Sequence, residues 1–176
     1  MERFKKYQER LAKVQLVHWD DLPDIELYVD QVVKVINEPL NGLNLPPVTR
    51  SMVNNYVKHG LVIAPVKKRY GRHQIATIMV ISLLKNLFPL SSIKDGINQL
   101  TINSYPKVVY DYFVDLLNAK FAGKQLPTSD RFAANDGRLM RIVVEALGNW
   151  LAASAILSIM KGDETPQAIN TVKKRG

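Results

Sequence analysis

The feature that most constrains the fold is an almost wholly apolar run at residues 75–84, which ends at Lys85. A second apolar run spans residues 146–160 and is interrupted by Asn149. Both runs are shorter than the roughly 20 residues that a membrane-spanning helix needs. We therefore predict two buried core helices and no membrane partner. The hydrophobic fraction of 47% is sufficient to build a core around them.

The rest of the chain carries apolar residues at helical spacing, so we predict an all-α fold. The predicted helices lie at 23–37, 49–60, 75–87, 91–100, 106–121 and 138–161, and residues 39–48 have the proline-rich composition of a loop. A polar leader (1–20) precedes an N-terminal domain at 21–100. A helical region at 101–162 follows and ends in a polar tail (163–176).

The positive charge is confined to one part of the sequence. The chain has 24 basic and 16 acidic residues, and residues 39–94 contain no Asp or Glu. Eight cations lie in that stretch, so the flanks hold 24 − 8 = 16 basic residues against all 16 acidic ones. Such a localised positive field usually indicates a polyanionic partner. The cations are Arg50, Lys58, Lys67, Lys68, Arg69, Arg72, Lys85 and Lys94.

The predicted helix at 49–60 separates into two faces when its residues are placed at 100° intervals. Thr49 is its expected N-cap and Gly60 its expected stop. Basic side chains can pair with phosphate or guanine, and asparagine can pair with adenine. A merely solvated face is the competing explanation for this helix taken alone. The apolar face holds Met52, Val53, Tyr56 and Val57; the polar face holds Arg50, Ser51, Asn54, Asn55, Lys58 and His59.

A dense basic cluster at residues 67–72 is predicted to form an exposed hairpin or loop, which we describe as a short β wing. Its four cations repel one another unless a negative partner lies against them. We predict that the helix at 49–60 and this wing both contact double-stranded DNA. Six phosphate contacts would make log K fall with log salt at a slope of about −5. The expected wing residues are Lys67, Lys68, Arg69, Tyr70 and Arg72.

Sequence patterns for catalysis and metal binding are missing. There is no cysteine, and His18, His59 and His73 fall in separate predicted elements without metal-ligand spacing. The carboxylates at 20–26 precede a helix, where negative charge complements the helix dipole. We therefore expect no enzyme activity, no metal and no cofactor. Residues 1–13 do not resemble a secretion signal, so we expect a cytoplasmic location.

Residues 54–62, then Pro65, then residues 68–70 resemble the helix-wing signature of mercury-resistance-type (MerR) regulators. That signature reads T-x-R-Y-Y-E-x-x-G-L-L, a proline and Y-R-x-Y before an apolar helix. Tyr56 matches its second tyrosine, Gly60 and Leu61 its G-L, and Tyr70 its last tyrosine. Asn54 and Asn55 depart from the signature's R-Y, and Val57 replaces its acidic residue.

Residues 27–31, 49–58 and 68–70 more closely resemble an uncharacterised bacterial family, domain of unknown function 1836. This resemblance extends over most of the chain. It implies a MerR-like winged helix-turn-helix followed by a helical bundle or dimerisation region. It implies no particular ligand or target sequence.

These observations lead us to expect a sequence-specific transcriptional regulator that binds DNA as a homodimer. Its two half-sites would lie about 34 Å apart, which is one helical turn of DNA. One alternative is an interaction module whose basic face binds an acidic protein and recognises no operator. Another is a small-molecule sensor, with an unidentified effector held in the helical half.

Overall fold

The computed structural model describes residues 1–163. Helix accounts for 65% of the described residues and strand for 3%, so the all-α prediction is confirmed. The predicted tail lies outside the described residues apart from Asp163. In chain order the elements are α1 (Glu2–Leu11), a 3-10 turn (Trp19–Asp21), β1 (Leu27–Tyr28), α2 (Val29–Gly42), α3 (Arg50–Lys58), β2 (Arg69–Tyr70), α4 (Arg72–Leu84), α5 (Leu90–Leu100), α6 (Pro106–Phe121) and α7 (Ala134–Asp163).

Helix α4 is the centre of the core, as its apolar sequence predicts. Ile75, Ile78 and Ile81 are fully buried, and the helix packs against α2, α5, α6 and β2. Ser82, the one buried polar residue of this helix, is also fully buried. Its hydroxyl donates a hydrogen bond to the Ile78 carbonyl at 2.6 Å, and this bond removes most of the cost of burying the hydroxyl.

Helix α2 differs from its predicted limits at both ends. It begins at Val29 and not after Pro23, because Leu27 and Tyr28 form a strand that pairs antiparallel with β2. The Gln31 side chain accepts the Tyr28 N–H at 2.9 Å and caps the helix start. At the other end the helix continues through Pro39 to Gly42. Proline removes one backbone donor, and the complete burial of Leu40 favours the extra turn.

The connection from α2 to α3 is fixed by polar contacts immediately before α3. The Asn37 side chain accepts the Val48 N–H at 2.7 Å and donates to the Val48 carbonyl at 2.9 Å. Thr49 is the N-cap of α3, as predicted, and its hydroxyl accepts the Met52 N–H at 3.2 Å. Gly60 has a φ of +70°, which agrees with the predicted helix stop. The start and end of α3 are therefore set by its own sequence.

Helix α7 is longer than the predicted span and is only partly buried. Its first half packs against α6, burying Met140, Val144 and Leu147. The leader helix α1 also packs against α7. Toward its end α7 leaves the core, and Leu157 and Met160 are 52% and 56% exposed. The prediction that residues 146–160 form a buried core helix is therefore wrong for the C-terminal half of that run, because α1 covers only one side of it and the other sides are exposed in the described structure.

Among residues 1–163, α7 is the one helix with the length and composition to cross a membrane. Within its segment Ala134–Gly162, an 18-residue window has a mean hydropathy of 1.7, and 22% of the residues in that window are buried. Because the 146–160 run lies inside this longer helix, its length alone does not exclude a membrane span. Core helices of soluble proteins meet the same criteria of length and composition.

Candidate nucleic-acid interface

Helix α3 has the two faces that its sequence predicts. Val53 is fully buried and Tyr56 is 3% exposed, so the apolar face packs into the core. Burial also raises the pKa of the Tyr56 hydroxyl, whose oxygen has no hydrogen-bond partner in the described part of the chain. The opposite face is open to solvent. Its exposed residues are Arg50, Ser51, Asn54, Asn55, Lys58 and His59.

The basic wing is a tight turn at residues 66–69, which we call the lysine turn. The Arg69 N–H donates to the Val66 carbonyl at 2.9 Å, and both central residues are left-handed, Lys67 at φ 49° and Lys68 at φ 64°. Such turns favour glycine or asparagine, because a side chain in this conformation costs about 1 kcal/mol or more. Both lysine side chains are exposed at the tip. The turn thus presents two cations at a conformational cost.

The wing strand pairs differently from the predicted hairpin. Residues 66 and 69 form a single bridge, and the main partner of β2 is β1, with Leu27 opposite Tyr70 and Tyr28 opposite Arg69. The strand is therefore attached to the segment immediately before α2. Tyr28 also receives the Arg69 guanidinium, which lies 5.3 Å from the ring centroid and 3.3 Å from the hydroxyl oxygen.

The start of α2 links α3 to the lysine turn. Arg50, at the start of α3, donates its Nε to Asp30 Oδ1 at 2.9 Å and also pairs with Asp30 Oδ2 through Nη2. Asp30 follows Tyr28, the partner of Arg69, by two residues. The N-terminal end of α3 and the wing strand therefore lie at the same end of α2. The structure brings together two segments that were predicted to act together.

Asp30 is a residue that the sequence analysis missed. The hydrogen bond from Arg50 lowers the pKa of the Asp30 carboxyl, and the same contact raises the pKa of Arg50. Arg50 is therefore partly neutralised, and a carboxylate lies inside the basic surface. The acid-free stretch at 39–94 could not reveal this, because the carboxylate comes from a separate segment of the chain.

Two predicted contact residues do not lie on the exposed surface. Tyr70 is 3% exposed and packs in the core, and this burial raises the pKa of its hydroxyl. Arg72 is half-buried and faces the N-terminal segment, donating to the Leu22 carbonyl at 3.2 Å and the Asp20 carbonyl at 3.0 Å. Both side chains therefore stabilise the wing and the start of α4.

The other cations of the acid-free stretch divide between surface and core. Lys58, Lys67 and Lys68 are exposed and have no ion pair within residues 1–163. Lys85 lies against Met52, 4.0 Å from its sulfur, and partial burial lowers the pKa of its ammonium group. Lys58 and the lysine turn thus provide the unpaired positive charge of the surface.

Within the part of the chain that the structure describes, no group of three or more His, Asp or Glu side chains could hold a metal ion. His18 lies instead beside Asp115, with His18 Nε2 2.6 Å from the carboxylate. This hydrogen bond raises the pKa of the imidazole.

The comparisons with known proteins give one finding. The family described as a domain of unknown function (DUF1836) matches residues 17–113, a segment that contains α3 and the lysine turn. No curated protein and no solved structure matches the chain. Because the match covers more than half of the sequence, this chain belongs to the DUF1836 family.

Proposed function

We propose that the chain is a transcriptional regulator that inserts the polar face of α3 into the major groove of double-stranded DNA. The observation that carries this proposal is the exposure of that whole face on a helix whose other side is buried. A buried apolar side fixes the orientation of the helix, so its polar side chains can reach base edges in a defined register. Asn54 and Asn55 are the candidates for base contacts, since asparagine can bond adenine through two hydrogen bonds.

The lysine turn and the end of α3 supply the phosphate contacts of this proposal. Lys67, Lys68 and Arg69 are exposed at the turn, and Lys58 is exposed in the last turn of α3. Phosphate contacts orient a DNA-binding protein and provide much of its affinity. Arg50 can join them if its contact with Asp30 opens. Tyr70 and Arg72 position the wing and do not touch DNA.

The element order supports a MerR-like winged helix-turn-helix as the DNA-binding unit. Two consecutive helices, α2 and α3, are followed by a short wing strand and then by the apolar helix α4. This is the order that the MerR-type signature implies. The wing strand is anchored to β1 and the start of α2, which holds it beside the proposed recognition helix.

An exposed seam along helix α7 is the proposed contact between the two copies of the homodimer. Seven of its residues, spaced alternately by three and four positions, form an exposed or half-buried seam that extends for roughly 30 Å along the helix. This spacing is the heptad pattern of two-stranded coiled coils, and a single central asparagine can specify register in such pairs. We propose that a second copy of the chain covers this seam. Its residues are Leu139, Ile142, Ala146, Asn149, Ala153, Ile156 and Met160.

Selection of bound fragments from random double-stranded DNA tests the regulator directly. We expect the wild-type chain to enrich one sequence motif. Asn55→Ala should lose about 1 to 3 kcal/mol on the best site and relax the preference at one base pair. Asn103→Ala, at an exposed asparagine far from α3 in sequence, is the matched control and should select the same motif. If Asn55→Ala weakens binding to every DNA sequence equally, this residue contacts the DNA backbone and does not read a base.

Sedimentation of the full chain tests the homodimer. We expect the wild type to sediment as a dimer, and Ile142→Asp with Ile156→Asp to give a folded monomer, because two charges would be buried in the seam. Ile142 is 59% exposed in the single chain, and Ile102, between α5 and α6, is 65% exposed. Ile102→Asp is therefore the control and should remain dimeric. A monomeric wild type, or binding of α7 to lipid vesicles that is abolished by the seam variant, would contradict the proposed dimer.

A further inference from the structure

A large cavity separates α3 from the C-terminal helices. Its volume is about 740 Å³, which falls within the roughly 300 to 1,000 Å³ of typical small-molecule sites. Residues 60–64, which follow α3, form one wall, and α4, α5, α6 and α7 contribute the others. Most lining side chains are apolar, including Val80, Ile97, Phe113 and Met140. The cavity therefore favours a ligand with a hydrocarbon body.

The charge on the cavity wall has one sign. No Asp or Glu lines the cavity, and Lys94 is the one lysine or arginine among its lining residues in the described part of the chain. The Lys94 ammonium lies 3.5 Å from the position that a side-chain Cβ on Gly60 would occupy. Lys94 has no ion pair within residues 1–163. A half-buried lysine without a partner can bind an anion at this edge of the cavity.

Two of the hydroxyls on this mostly apolar wall are already hydrogen-bonded and offer little to a polar ligand. The hydroxyls of Thr77 and Thr101 donate to carbonyls of their own helices, His73 and Ile97, at 2.8 Å each. A ligand with many polar atoms would lose hydrogen bonds to water that these groups do not replace. One anionic group beside Lys94 is the exception, since a charge-assisted hydrogen bond offsets its desolvation.

We propose that this cavity binds an amphipathic carboxylate, with its aliphatic chain among α4, α5, α6 and α7 and its carboxylate at Lys94. The wall at residues 60–64 is continuous with α3, so a bound carboxylate would draw the Lys94 ammonium from the end of that helix. On this basis the ligand alters the position of α3. This last step rests on the proposed DNA binding, whereas occupation of the cavity does not.

Fluorescence of the full chain tests occupation without DNA. Trp19 lines the cavity, and Trp150 does not, so Trp150→Phe leaves one reporter at the site. We expect decanoate, kept below its micelle concentration, to change the Trp19 emission with saturation. Lys94→Ala should weaken decanoate binding by about tenfold or more, because it removes a charge-assisted hydrogen bond. Lys124→Ala, at an exposed lysine outside the cavity, should leave the affinity unchanged.

Two further ligand measurements separate the contribution of the Lys94 charge from that of the apolar cavity. Decanol, which has the same chain without the charge, should bind equally well to the wild type and to Lys94→Ala. Val80→Phe, which fills part of the cavity, should weaken the binding of both decanoate and decanol. The absence of a saturable decanoate signal in folded protein, or equal effects of Lys94→Ala and Lys124→Ala, would overturn the site. If decanoate binds as expected but leaves DNA affinity unchanged, the site stands and its coupling to α3 fails.

Discussion

The contact between Asn37 and Val48 yields a quantitative prediction about how α3 is held. Asn37 is on α2, and its side chain pairs with both backbone groups of Val48, two residues before α3 begins. Val48 is 1% exposed, so water cannot replace these bonds easily. Asn37→Ala removes two hydrogen bonds and leaves a donor and an acceptor unpaired. We expect it to lower the free energy of unfolding by about 2 to 4 kcal/mol.

Urea unfolding of matched variants isolates this contribution. Asn41→Ala is the control, because Asn41 is exposed on the same helix and its side chain forms no hydrogen bond in the described structure. Both replacements share the gain in helix propensity, so the difference between them reports the contact. Asn37→Asp keeps the acceptor for the Val48 N–H but replaces the donor with a carboxylate oxygen that faces the Val48 carbonyl, so it should also be less stable than wild type. A difference under about 0.5 kcal/mol between the two alanine variants would refute this account.

Three further predictions concern single side chains. The hydrogen bond from His18 to Asp115 raises the pKa of the His18 imidazole. The pair should therefore stabilise the fold below about pH 6.5, and this stabilisation should be lost as the pH rises through the folded-state pKa. Melting temperatures across this pH range should show the loss, and Asp115→Asn should abolish the pH dependence. Tyr56→Phe should leave the unfolding free energy within about 1 kcal/mol of wild type or raise it, because the buried hydroxyl has no partner in the described structure; a larger loss in urea unfolding would show that the hydroxyl is satisfied. Thr49→Ala should cost about 1 kcal/mol in the same assay through loss of the bond to the Met52 N–H, whereas no loss would contradict the cap.

Apolar periodicity was sufficient to predict most of the helices. It located α3, α4, α5 and α6 within a few residues, since each has a buried face or a capping residue in its own sequence. It could not predict β1, because a two-residue strand has no measurable period and exists through its pairing with β2. The start of α2 was misplaced for the same reason. Pro39 also led to an early predicted end, since burial of Leu40 outweighs the missing donor.

The sequence predicted which residues belong to the candidate interface better than it predicted how these residues are arranged in space. The exposed face of α3 follows from helical geometry, so sequence alone could separate Asn54 and Asn55 from Val53. The contact between Arg50 and Asp30 is tertiary, and no local pattern indicates it. The exposed seam of α7 shows a related limit. Apolar residues at helical spacing predict burial, but they do not tell whether the covering surface belongs to the same chain.

The salt dependence of DNA affinity tests the central claim most directly. The structure leaves Lys58, Lys67, Lys68 and Arg69 exposed for phosphate contacts, and the one partner of the Arg69 guanidinium, Tyr28, is neutral. Arg50 is instead paired with the Asp30 carboxylate, and half-buried Arg72 donates to the Leu22 and Asp20 carbonyls. Four contacts per DNA-binding unit give a slope of log K against log salt of about −3.6, and twice that for a dimer on both half-sites. Lys67→Ala with Lys68→Ala should flatten the slope by about 1.8 per unit, while Lys124→Ala should not change it. Undetectable DNA binding by folded wild-type protein at 50 mM salt would contradict the account.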